Sequence, residues 1–294
     1  MSVYPRRGLP KHRPVHGSRI DGDETKEWHD LSTLDFDWWA SNGPTAGHLF
    51  QLAISSVGGA GLLEVSSPST VDLQVFGFGT PGEVKLEGQY VAPLPYGNDG
   101  LAMINFVQGN PFALAHVEIP GARNGPELTG AIAPAVLAPS KYPRMSEMKV
   151  PVTHNFYFRP TGLANRPTPK PGWDVVWIEP RRDHARRKEL VASIVDAWYP
   201  AHFLRVVHDY LGGNSNPLQD PPSSRLLGGR LLFTAPDGEY DHLDRVLFAS
   251  RLDASVGGRH FEQAEIWSER RVLLAVVRIE RLGTFPGEHR DRNV

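Results

Sequence analysis

The stretch from Asn42 to Gly59, NGPTAGHLFQLAISSVGG, decides the fold. Between Thr45 and Val57 the apolar residues are Ala46, Leu49, Phe50, Leu52, Ala53, Ile54 and Val57. They spread over most of a helical wheel rather than one stripe, so this helix is expected to be buried nearly all round. Asn42-Gly43-Pro44-Thr45 supplies its start signals and Gly58-Gly59 its stop. A single helix can be buried on most sides when an antiparallel sheet curls around it.

The downstream sequence fits that arrangement. Strand-like segments run Thr70–Phe78, Glu83–Val91, Leu101–Val107 and Phe112–Ile119, separated by Gly/Pro turns. Residues 120–150 are rich in Pro, Gly, Ala and Ser and read as a long connection. The plan then recurs. His154–Arg159 and Asp174–Glu179 are expected strands, and Asp183–Trp198 is an expected helix with Asp183 as N-cap. Pro200 stops that helix. Strands follow at Arg225–Thr234, Leu243–Asp253, His260–Trp267 and Val272–Leu282. The fold class is therefore α+β, with two helix-plus-antiparallel-sheet repeats in one chain. The boundaries are an extended arm over 1–30, a first repeat over 31–120, a linker over 121–150, a second repeat over 151–285 and a tail over 286–294.

Composition narrows the function classes. The chain has 294 residues, 40% of them hydrophobic, enough for a real core. A net charge of −2 gives no reason to expect nucleic acid or a membrane as partner. There is no cysteine, which excludes disulfides, thiolate metal sites and cysteine nucleophiles. The N-terminus lacks the apolar segment of a secretory signal, and no apolar run is long enough to span a bilayer. A soluble cytoplasmic protein is expected. Twelve histidines include no His-Glu-x-x-His or comparable spacing, so no metal is expected, and nothing points to a cofactor. Gly58–Gly61 ends a helix rather than opening one, unlike a dinucleotide-binding turn.

The stretch VGGRHFEQAEIWSERRVLLAVVRIERL, residues 256–282, resembles the last two strands of the TesB-like acyl-CoA thioesterases, a double-hotdog family. Asn42–His48 resembles that family's start of the first hotdog helix, and Val195–Pro200 the end of the second. The resemblance covers about residues 35–285 and implies a double hotdog. It implies a hydrophobic acyl, acyl-thioester or polyketide-type substrate, and it leaves a homo-oligomer open. It also exposes departures. The family's acid is absent from segment 224–236, SRLLGGRLLFTAP. The family's Gln is absent from the last strand, where Ile279 or its neighbours hold the place. The family's Ser/Thr falls near Asp253.

The resemblance implies an oxyanion site from the amides of Ala46, Gly47 and His48, with His48 as donor or base. A plain helix N-terminus is the simpler reading. Asp253, ending the apolar strand LFASRLD, would be a desolvated general base if it faces the interior, and otherwise a solvated partner for Arg251 or Arg259. His116 shares a face with Leu114 and Glu118 and can point at a pocket or be an ordinary strand histidine. Asn105, between Ile104 and Phe106, is a similar case. Arg259 and His260 can bind a carboxylate, a phosphopantetheine phosphate or an enolate. Arg278 and Glu280 share one strand face and can pair across the sheet. Trp39 and Phe50, with Phe36 and Trp38, suit a hydrophobic pocket or a core. Three functions stay open: a thioesterase-like hydrolase, a cyclase or dehydratase of a specialised biosynthetic pathway, and a non-catalytic binding or scaffold protein. A cyclase needs mainly substrate folding and a few hydrogen bonds, so it can discard hydrolytic groups.

Overall fold

The computed structural model describes residues 13–15, 25–40, 43–62, 68–91, 100–119, 131–145, 151–161, 172–181, 187–198, 223–241 and 243–284. The strands of the first half are β1 (Arg13–Val15), β2 (Thr25–Leu34), β3 (Trp39–Ala40), β4 (Gly43–Pro44), β5 (Thr70–Val75), β6 (Gly82–Val91), β7 (Gly100–Gln108) and β8 (Asn110–Ile119). Helix α1 (Ala46–Gly59) lies between β4 and β5. The second half holds β9 (Phe156–Pro160), β10 (Asp174–Pro180), helix α2 (Arg187–Ser193), β11 (Ser223–Phe233), β12 (Val246–Val256), β13 (Arg259–Trp267) and β14 (Leu273–Thr284).

Twelve strands form one antiparallel sheet in the order β1-β2-β6-β7-β8-β5-β11-β14-β13-β12-β10-β9. The halves repeat the same order: β2-β6-β7-β8-β5 in the first and β10-β12-β13-β14-β11 in the second, mirrored about the β5·β11 seam. Each half curls around its helix. This is the double hotdog expected from the sequence.

The inward residues explain the curl. Val71, Leu73, Val84, Leu86, Ala102, Ile104, Phe106, Ala113, Ala115 and Val117 alternate along β5–β8 and are buried with α1. Leu49, Phe50, Leu52, Ile54 and Val57 of α1 are fully or almost fully buried, each stabilising the fold by roughly 1.5–3 kcal/mol over an exposed position. Helix α1 is thus enclosed, as its wheel predicts. Thr45 caps it, its Oγ1 accepting from His48 N at 3.1 Å.

The structure departs from the sequence reading in several places. Strands β1 and most of β2 lie inside the segment read as an arm. In β2, Trp28, Asp30, Ser32 and Leu34 point inward. Two of these four are polar, which erased the alternation. Asp30 is accommodated because Ser56 of α1 donates to it at 2.6 Å, while Trp28 Nε1 donates to Ser56 Oγ at 2.8 Å. Second, part of the expected linker is packed. Tyr142, Ala133 and Val136 lie over Trp173, Val175, Trp177, Leu247, Ala249 and Trp267 on the outer face of the second repeat. Arg271 pins this segment by donating to Pro134 O at 2.7 Å and Val136 O at 2.6 Å. Third, β5 stops at Val75, short of the expected Phe78. The expected start of α2 at Asp183 lies outside the described residues, and the helix ends at Ser193, short of the expected Trp198, where the chain turns through the left-handed Asp196.

Candidate functional site

Where the two repeats meet, the N-terminus of α1 runs into the end of α2. Gly47 N donates to Val195 O at 3.1 Å, and Ala46 N donates to Asp196 Oδ2 at 3.1 Å. With His48 N on Thr45, the three amides expected to form an oxyanion site are all engaged within the protein. The orphan donors of the helix start are satisfied by the opposite repeat. Asp196 reaches Ala46 N from a left-handed turn (φ 70°), a conformation that aspartate tolerates better than most residues.

Asp196 is one corner of a buried ionic cluster. Its Oδ1 accepts from Arg281 Nη2, and Arg281 Nε donates to Glu262 Oε1 at 3.3 Å. Arg281 is only 2% exposed and is among the largest fully buried side chains. It continues the inward face of β14 after Ala275, Val277 and Ile279. Glu262 shares the inward face of β13 with His260, Ala264 and Ile266, and His260 stands directly across from Arg281. Burial of a charged triad is expensive, and a well-packed apolar replacement is often as stable. Such a cluster is therefore a functional candidate on physical grounds.

The protonation states follow from the surroundings. Desolvation pushes the Glu262 carboxyl up, opposed by the Arg281 charge and assisted by Asp196. Desolvation also holds His260 below its ordinary 6.5, assisted by Arg281. The unfolded imidazole takes its proton at 6.5, whereas the folded one resists. Stability contributed by neutral His260 is therefore present above 6.5 and falls as pH drops from 6.5 toward the folded value. Glu262 has the opposite sign: its contribution is present below 4.5 and diminishes as pH rises from 4.5 through the folded value. Denaturation midpoints of His260→Gln are expected to lose the decline that wild type shows just below 6.5. An unaltered decline would place its origin elsewhere.

Two small cavities flank the cluster. One is lined by Asp196, Trp198, Phe248, Ser250, Glu262, Gln263, Ala264 and Ile279 and leaves about 10 Å³, roughly the space of one water. Ser250 Oγ and Trp198 Nε1 are buried there without a hydrogen-bond partner among the described residues. The other lies at the seam between repeats, with walls of Leu49, Val75, Phe112 and Leu226, reaches Arg281, and leaves about 30 Å³.

The other expected site residues are dispersed. His48 is buried and stacked on Trp38 at 5.5 Å between ring centroids, its Nε2 3.3 Å from Thr33 O. Asp253 is the exposed bulge residue of β12 and pairs with Arg251 at 2.6 Å, so it is no desolvated base. His116 and Asn105 are half-buried on the outer face, away from α1, because their neighbours Ala115, Val117, Ile104 and Phe106 take the inward positions. Arg259 is exposed and pairs with Glu280 at 2.8 Å, taking the partner expected for Arg278. Phe50 is core, and Trp39 packs beside Phe36 at 5.9 Å. Of the expected site residues, Ala46 is bonded to the cluster through Asp196, and His260 stands beside Arg281.

The sequence reading does not single out Arg281, Glu262, Asp196, Ser250 or Trp198, although the signal exists for two of them. The alternation that puts Arg278 and Glu280 outward puts Arg281 inward, and the same period places Glu262 with Ala264 and Ile266. Asp196 sits in a turn after a helix, where no periodicity applies.

No protein-family model matches the chain, and no curated protein matches it. Solved structures do. A protein of unknown function with a hot dog fold from Alicyclobacillus acidocaldarius is 16% identical, with TM-score 0.68 over 92% of this chain and 96% of that one. The acyl-CoA thioesterase II of Mycobacterium marinum is 17% identical, with TM-score 0.62 over 93% and 97%. The dehydratase domain of the CurJ module of curacin polyketide synthase is 10% identical, with TM-score 0.55 over 93% and 97%. These likenesses establish the double-hotdog fold over nearly the whole chain. No helix among the described residues is long and apolar enough to cross a membrane.

Proposed function

We propose that the chain is an enzyme acting on a hydrophobic acyl or polyketide-type thioester, with Glu262 as its acid–base group and Arg281 as the charge that holds Glu262 and faces the seam cavity. The observation that carries this reading is the buried Arg281–Asp196–Glu262 cluster between two cavities. In hydrolysis, the water-sized cavity would hold the nucleophile against Ser250 and Glu262. Ionised Glu262 takes the water's proton as the oxygen bonds to the thioester carbon. The oxyanion forms near Arg281, and its collapse breaks the C–S bond and expels the thiol, which leaves with the proton. A carboxyl raised toward neutral pH is better matched to this exchange than an ordinary glutamate.

One observation favours a second reading, a dehydratase or cyclase on the same fold. Glu262 is pushed toward its protonated form and His260 toward its neutral form, two residues apart on one face of β13. That is the pairing of an acid with a base that proton-transfer chemistry needs. Dehydration would release water and leave the thioester intact.

The test measures free thiol release and product mass over a panel of acyl- and hydroxyacyl-CoA thioesters. Thiol release supports hydrolysis, and loss of water without thiol release supports the second reading. Glu262→Gln is expected to lower kcat roughly 10²–10⁴-fold. It should keep or raise neutral-pH stability, because it removes a desolvated acid. Full activity in Glu262→Gln sinks the assignment of this residue. No turnover on any substrate, with binding retained, leaves a binding protein instead.

A further inference from the structure

The seam cavity holds a feature that the hydrolytic cluster does not use. Its wall is part apolar and part polar, and Ser224 Oγ and Arg225 Nε are buried at it without a hydrogen-bond partner among the described residues. Ser224 is only 4% exposed. Arg225 makes one long bond, Nη2 to Gly77 O at 3.4 Å, and its guanidinium lies over the Phe78 ring at 4.2 Å. No carboxylate faces it among the described residues, whereas Arg281 has two and Arg251 and Arg259 have one each. Burying an N–H without a partner is costly, so this pair of groups is poised for an acceptor that the described residues do not supply.

We propose that the seam cavity selects acyl thioesters whose chain carries a carboxylate, held by the Arg225 guanidinium and the Ser224 hydroxyl. The proposal rests on the reading of the site as an acyl-thioester site and names its substrate class: dicarboxylic mono-thioesters. Leu226 is the cross-strand partner of Arg281 and shares the inward face with Ser224, whereas Arg225 leaves β11 on the other face and borders the cavity at its rim, beside Phe78. The apolar walls of Leu49, Val75, Phe112 and Leu226 would line the methylenes between the reacting carbonyl and the carboxylate. A bidentate arginine–carboxylate pair, with a serine on the remaining lone pair, satisfies both orphan groups.

Entry requires an opening, since about 30 Å³ admits no chain. The rim provides one. Phe78 is 71% exposed, and its flanking Gly77 and Gly79 pack directly on Phe112. A Cβ on Gly77 would approach Phe112 Cβ to 2.7 Å. Phe78 and Arg225 can therefore swing outward together while the glycine backbone stays seated.

The experiment is isothermal titration of the full chain with non-hydrolysable thioether analogues of glutaryl- and adipoyl-CoA. Unsubstituted analogues of matched chain length and a methyl-ketone analogue are the comparisons. Wild type is expected to bind the carboxylated analogues about 10–100-fold more tightly. Arg225→Met should abolish that preference, Arg225→Lys should retain part of it, and Ser224→Ala should reduce it. Equal binding of all analogues, stronger binding of the unsubstituted or ketone chains, or a preference that survives Arg225→Met overturns the proposal. Turnover reports separately. Thiol release with equal rates on carboxylated and plain chains sinks this inference while the hydrolase reading stands. Selective binding without thiol release does the reverse.

Discussion

Arg281→Met is expected to destabilise the fold by about 3–5 kcal/mol, measured by denaturant unfolding at neutral pH. The reason is not the lost bonds alone. The variant leaves Asp196 and Glu262 in the interior with no cation, and an uncompensated buried carboxylate is far costlier than a broken pair is valuable. Glu262 can escape by taking a proton, since burial already pushes it that way. Asp196 is also held by Ala46 N, so it keeps one partner at the positive end of α1. The second substitution Asp196→Asn should therefore recover part of the loss: asparagine tolerates the φ of 70°, keeps an acceptor for Ala46 N and carries no charge. If Arg281→Met unfolds at the wild-type midpoint, the buried carboxylates do not depend on Arg281 for compensation. If Asp196→Asn adds a full independent loss instead, the coupling between them is absent.

The second large effect is Gly47→Ala, expected to destabilise by about 3 kcal/mol or more. By helix propensity alone this change should stabilise by up to about 1 kcal/mol, since alanine is the best helix former and glycine among the worst. The tertiary contact reverses the sign. A Cβ on Gly47 would stand 2.3 Å from Val195 O, 2.6 Å from Ser193 O and 2.8 Å from Ala192 O. All three are backbone atoms, so no side chain can swing aside. Helix α1 would have to lift from the end of α2, breaking Gly47 N to Val195 O and pulling Ala46 N from Asp196. Gly59→Ala serves as control: its Cβ would meet only Asp30 Oδ2, at 3.9 Å. Equal stability of the two variants would contradict the helix–helix contact.

The fold was legible because apolar patterning is locally complete in most elements. Helix α1 reads as enclosed from its own residues, and β6, β7 and β8 alternate cleanly. Strand β2 was not legible. Its inward Asp30 is acceptable only because Ser56, in a distant part of the sequence, donates to it. The amides at the start of α1 were not legible for a related reason, because their partners lie in the other repeat. The resemblance pointed to free amides at the start of α1, whereas Val195 and Asp196 of the other repeat occupy two of them. Asp253 would be a desolvated general base only if it faced the interior, but the bulge at this residue, between Leu252 and Ala254, leaves it in solvent.

The sequence by itself determined the two-repeat plan, the enclosed helix and the inward or outward facing of most strand residues. These depend on periodicity, which is a property of neighbours along the chain. Only the tertiary structure decided which polar residues meet. Arg281, Glu262 and Asp196 come from two strands and a turn after a helix, and Ala46 from the other repeat. Their proximity follows from the strand order and the docking of α1 on α2. Whether a buried charge is a defect or a site depends on the partners that this packing supplies.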